Sequence, residues 1–144
     1  MRMSAGARAS AVSTAARGPS LYAIASRPFW VVEVGVFNTT TTAFTAAVQR
    51  ATATGTQGAA ITGRCLDDDA ITPAITPFNT HTADATITTG FLTNASIGAA
   101  VGAGVIWTFG KNGVKCPAAT TNGIVITAPT GTGQLFDWYI IWEE

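Results

Sequence analysis

The residues Phe29–Phe37, FWVVEVGVF, decide the fold. Valine and aromatic side chains fit a pleated, half-buried surface, and the run stops at Asn38 followed by four threonines, so it reads as a strand with a turn behind it. The same texture recurs downstream. Gly104–Phe109 (GVIWTF) closes in Gly110–Lys111–Asn112–Gly113, whose Asn-Gly step is a turn signal. Gly123–Ala128 (GIVITA) runs into a Pro129–Gly133 connection, and Gln134–Trp142 (QLFDWYIIW) is an apolar, aromatic strand. Phe44–Thr54 fits strand or helix by pattern, and Thr at both ends favours strand. Gly55–Gly58 is a turn, Gly58–Leu66 is expected to pair back, and Thr82–Thr89 is a short strand. Pro73 and Pro77 exclude a central strand between them, because proline donates nothing to a ladder; that part is a loop or an edge. No long segment carries apolar residues at helical spacing with caps. Roughly six to eight strands at about ten-residue spacing predict a single all-β domain, a β-sandwich or jelly roll.

Composition bears on lifestyle more than on chemistry. The 144 residues carry 11% charged and 47% hydrophobic side chains at zero net charge. A typical domain has about 25% charged residues, so this surface must be built mostly from Thr, Ser, Asn and Gly. Little charge and no net charge promote association. Disorder is excluded for the body, and neutrality removes the basic footprint of nucleic-acid binding.

Charge is unevenly placed. Arg2, Arg8, Arg17 and Arg27 fall in a stretch, residues 1–27, that holds no Asp or Glu, so it is +4 and the rest of the chain is −4. Ala, Ser and Gly fill the remainder of that stretch with no clear apolar period. It is expected to be an extended basic arm, with a sandwich domain over residues 28–144. A secretory signal is disfavoured because Ser, Thr, Arg and Gly interrupt any apolar run, and an organelle transit peptide fits only the Arg- and Ser-rich, acid-free composition. An arm that orders against a neighbour's acidic surface competes with a terminus of no role. Asp67, Asp68 and Asp69 read as a solvated acidic loop or as the acidic contact such an arm would take, and consecutive aspartates alternate in direction, which suits a calcium site poorly.

Chemistry-bearing residues are sparse. His81 is the only histidine, and it reads as a surface or loop residue with no sequence pointer to catalytic partners. Cys65 and Cys116 lie too far apart for a CxxC site and default to free core thiols. The small-residue run Ile97–Gly104 (IGAAVGAG) lacks the spacing of a nucleotide loop, and close strand packing is the simpler account. Ala95–Phe109 is too short to span a bilayer, which takes ~20 apolar residues. No catalytic residue, cofactor, metal, membrane or nucleic-acid partner is expected. The last strand places Trp138, Tyr139, Ile140, Ile141 and Trp142 in succession, so both of its faces are apolar. One face serves the core; Trp138, Tyr139 and Trp142 are the expected interface residues.

FWVVEVGVFNTTTTAF, SIGAAVGAGVIWTFGKNGV and NGIVITAPTGTGQLFDWYIIWEE, in that order, resemble small structural proteins of tailed-phage virions over roughly Arg27–Glu144. The resemblance implies a non-catalytic virion component on the capsid surface, a decoration or cement protein. Its expected partners are copies of itself, as a trimer or other homo-oligomer, and the major capsid protein. A tail or baseplate component, or a carbohydrate- or receptor-binding β-sandwich, are the alternatives.

Overall fold

The computed structural model describes residues 1–12 and 17–144. The described chain is all strand and loop. Its strands are β1 (Arg2–Val12), β2 (Ser20–Tyr22), β3 (Phe29–Asn38), β4 (Phe44–Ala53), β5 (Thr56–Gln57), β6 (Arg64–Cys65) and β7 (Pro77–Phe78). They continue as β8 (His81–Ala83), β9 (Thr86–Ile87), β10 (Thr93–Ile97), β11 (Gly104–Thr108), β12 (Val114–Cys116), β13 (Gly123–Thr127) and β14 (Thr132–Glu143).

Pairing is nested. β1 pairs with β14, β2 with β13, β3 with β11 and β4 with β10, all antiparallel, and successive pairs fall alternately in two sheets. This winding is a jelly roll. The first sheet runs β11-β3-β14-β1-β6, with β12 beside β3; the second runs β10-β4-β13-β2-β7, with β9 beside β4. β5 and β8 pair apart from these as a small third sheet.

Side-chain alternation on β14 builds the core. Phe136, Trp138, Ile140 and Trp142 point inward and are buried, while Leu135, Tyr139 and Ile141 lie between them on the outer face. Opposite these large groups β1 offers small ones: Ala9 pairs with Phe136, Ala7 with Trp138 and Ala5 with Ile140. Bulk on one strand meets space on its neighbour, which lets side chains fill a close-packed interior. On β3 the inward set slips from Phe29 and Val31 to Val34 and Val36. The register with β14 shifts at the same place, a bulge that turns Glu33 outward.

The expected extended arm is corrected here. Residues 2–12 are an inner strand of the first sheet, held between β14 and β6, so no boundary at residue 27 separates an arm from the sandwich. β1 supplies Met3, Ala5, Ala9 and Ala11 to the core. A pattern of alternating alanine with Ser, Gly and Arg is a strand whose apolar face is narrow, and its packing partner rather than its own propensity makes it one.

The excursion between β4 and β10 wraps the sandwich. β6 extends the first sheet beyond β1 and β7 extends the second beyond β2, in keeping with the edge position foreseen for the proline-bearing stretch. Within Gly58–Leu66 only Arg64–Cys65 is a strand, less than expected. Glu144, its side chain 1% exposed, accepts the backbone N–H groups of Ala74 and Ile75 at 2.6 and 3.1 Å and ties that excursion to the first sheet. Farther along, Ala85 packs on the second sheet and β9 joins that sheet beside β4, where Tyr22, Ala51, Ala85, Val125 and Ile87 make a second apolar cluster. The Ile97–Gly104 run is mainly the β10–β11 connection, with Val101 exposed and Gly102 at φ 87°; only Gly104, against Phe37, matches the expected close approach. Asn38 closes the threonine corner: its amide donates to the carbonyls of Thr42 and Gly98, and its Oδ1 accepts from Thr40.

Trp142→Ala is expected to cost about 3–5 kcal/mol in denaturant unfolding, as removal of a buried indole leaves a cavity. Deleting residues 1–12 should abolish cooperative unfolding and near-ultraviolet dichroism, because it unpairs one edge of β14 and strips the cover from its aromatics. Retention of a cooperative melt would contradict the inner position of β1.

Candidate interaction surface

The outer face of the first sheet is set out in rows by its register. Ile106, Gly35, Tyr139 and Gly6 form one row across β11, β3, β14 and β1. Thr108, Glu33, Ile141 and Ser4 form the next. On the other side lie Gly104, Phe37, Asp137 and Arg8. Lys115, Trp30, Glu143 and Arg2 close one end.

Glycine makes this face flat. Tyr139 lies across Gly35, where any Cβ would collide with its ring, and stacks on Phe37 at 6.3 Å between centroids and 18° between planes. Its hydroxyl donates to Glu33 at 2.6 Å. Partial burial, the hydrogen bond and the Glu33 charge together push the phenol up to about 12. Ile106 and Leu135 stand out from the sheet at 52% and 43% exposure. Among the described residues no element of the chain covers this face.

Its charges are paired. Arg8 grips Asp137 with two contacts, 2.8 and 3.1 Å, and that hydrogen bonding holds the carboxyl below the usual carboxylate range. Arg2 donates to Glu143 at 3.1 Å, and Lys115 sits 5.6 Å from the Trp30 ring centroid.

Several expected interface residues are placed otherwise. Trp138 and Trp142 are buried in the core, where their indole N–H groups donate to Asn79 and Glu144; inward alternation on β14 removes them from any surface. Of the three, Tyr139 alone faces outward. The arginines expected on a neighbour's acids all meet acids of their own chain: Arg2 with Glu143, Arg8 with Asp137, Arg17 with Asp84 and Arg27 with Glu144. Asp67 accepts the backbone N–H of Arg2, Asp68 caps the turn at Ala70, and Asp69 is exposed. Phe37, Ile106, Leu135 and the glycines between them escaped the sequence reading. Gly35, a lone glycine inside a valine-rich strand, was the available signal.

His81, expected at the surface, is buried, at 4% exposure. Its Nδ1–H donates to the Gly18 carbonyl at 3.1 Å, which leaves Nε2 to accept from the hydroxyls of Tyr22 and Ser20 at 3.3 and 3.4 Å. This serine–histidine pair is closed off. Ser20 is buried as well, a backbone carbonyl stands where a carboxylate would orient the ring, and Asp84 is engaged by Arg17. A cleft of about 240 Å³, lined by Tyr22, Ile24, Gln57, Thr76, Phe78 and Thr120 among others, reaches neither Ser20 nor His81. Cys65 and Cys116 are buried and unbridged, and burial pushes the Cys116 thiol up to about 12. Among the described residues no three His, Cys, Asp or Glu side chains gather as metal ligands.

Neither a protein-family model, nor a curated protein, nor a solved structure matches this chain.

Burial lowers the His81 pKa from 6.5, so the unfolded chain binds this proton more readily than the folded one. Stability from this group is therefore complete above pH 6.5 and falls as pH drops from there to the lowered native value, with a slope of at most about 1.4 kcal/mol per pH unit. His81→Gln should flatten that segment of the stability profile; an unchanged slope would show that His81 does not cause it.

Proposed function

We propose that the protein is a structural virion component of a tailed phage, set on the capsid surface as a decoration or cement subunit. The reading is carried by the uncovered outer face of the first sheet, centred on Tyr139, Phe37, Ile106 and Ile141. An apolar face of that extent needs a cover, which an assembly supplies. It is supported by a charge-poor, neutral surface and by the resemblance of the strand-rich segments from Arg27 to Glu144 to small phage structural proteins. In this role the jelly roll is the rigid part, many copies add weak contacts on a repeating lattice, and no bond is made or broken. The expected partners are copies of this chain and the major capsid protein.

A second reading is favoured by one observation. Trp30, Lys111, Asn112 and Glu143 line an open cleft of about 320 Å³ at the end of the same face. An indole beside an amide, an ammonium and a carboxylate suits a sugar, through stacking on the ring and hydrogen bonds to hydroxyls.

Gradient-purified particles made by the genome that encodes this chain are expected to carry it as a strong, stoichiometric gel band, associated with heads after tails are sheared away. A band confined to the tail fraction moves the protein to tail or baseplate. Absence from particles, with saturable quenching of Trp fluorescence by free sugars, overturns the virion reading in favour of sugar binding.

A further inference from the structure

We propose that the outer face of the first sheet is covered by a second copy of this chain. The inference rests on the assembly reading and names the partner of that same surface. The two sheets are treated differently by the fold. The outer face of the second sheet is covered by the chain itself, through Ala85 packed with Tyr22, Ala51 and Val125 and His81 set edge-on against Tyr22, while the first sheet keeps Ile106 and Leu135 in solvent. The chain has thus spent its own covering segment on one side only.

Charge permits a second copy. At the centre of the face Arg2 and Arg8 grip Glu143 and Asp137 and Glu33 accepts from Tyr139, while the further cations Arg64, Lys111 and Lys115 stand at its margins, on β6, in the β11–β12 turn and on β12. A matched centre repels its own kind little, and self-pairing requires that the same patch serve both sides. Area is sufficient. Four strands spaced by about 4.8 Å over ten residues of about 3.3 Å rise give about 600 Å² per copy, and the pair then reaches the lower bound of about 1,200 Å² for a stable interface. Flatness completes the fit, because Gly6, Gly35 and Gly104 lower the relief and Tyr139 lies down on the sheet. Two such faces pack as aligned sheets do, about 10 Å apart with strands crossing near 30°.

The test compares the full chain with Ile106→Arg/Leu135→Arg by light scattering coupled to size exclusion, over a dilution series. Both positions are exposed, and Phe91→Arg, at 49% exposure beside the second sheet, is the control. The parent and F91R are expected at a multiple of 14.8 kDa and the double variant at 14.8 kDa, with near-ultraviolet dichroism retained. If the double arginine variant loses its dichroism, Ile106→Thr/Leu135→Thr replaces it, and its dissociation constant should rise at least about tenfold. A parent that is monomeric throughout, or an oligomer indifferent to both double variants, overturns the inference. Particle banding of the same proteins separates the two readings. A monomeric chain that still bands with particles sinks self-pairing alone, and an oligomer disrupted as expected but absent from particles sinks the virion reading alone.

Discussion

A phenylalanine, a tryptophan and an isoleucine in alternation on one strand need shallow neighbours, and the alanines of β1 are those neighbours. That single fit, Ala7 beside Trp138 and Ala9 beside Phe136, organises much of the molecule. It draws the start of the chain into the middle of a sheet and fixes which face of β14 is core. With the indoles turned inward, Tyr139 and Ile141 must go outward. The arrangement also aligns Arg2 and Arg8 with Glu143 and Asp137, so the charge asymmetry along the chain is neutralised across a strand pair.

These ion pairs are exposed, and pairs of that kind contribute about 0–1 kcal/mol. Their consequence is for recognition more than for stability. Charges matched in pairs across β1 and β14 add little long-range field at the centre of the face, and contact area and shape count for more in what binds there. The buried groups act differently. His81, within the excursion, holds Gly18, Ser20 and Tyr22 together, and Glu144 anchors the same excursion at Ala74 and Ile75. Polar residues therefore fix loops onto the sandwich where alanine and threonine have little bulk to do so.

Much of the strand framework was legible because β3, β11, β13 and β14 are written in Val, Ile and aromatics, whose shapes suit a pleat in any surroundings. β1 was not legible. Alanine has no such preference, and a strand made by its partner cannot be recognised until the partner's side chains are known. For the same reason Trp138 and Trp142 could not be told from Tyr139: consecutive aromatics show that both faces are apolar, not which face is core. His81 was misread because its burial depends on a segment about 60 residues away, joined to it through Ser20 and Tyr22. The legible elements were those whose local chemistry and tertiary role agree.

Nesting the first strand against the last has a temporal consequence. β1 and β14 are separated by more than a hundred residues, so the sandwich cannot close until Thr132–Glu143 has left the ribosome. Until then β1 and β3 flank an empty slot, with unpaired backbone donors and acceptors and an open hydrophobic interior. Contacts this distant in sequence close slowly. A nascent chain is thus vulnerable to misassociation until Thr132–Glu143 is made, and arrival of the aromatic strand ends that exposure.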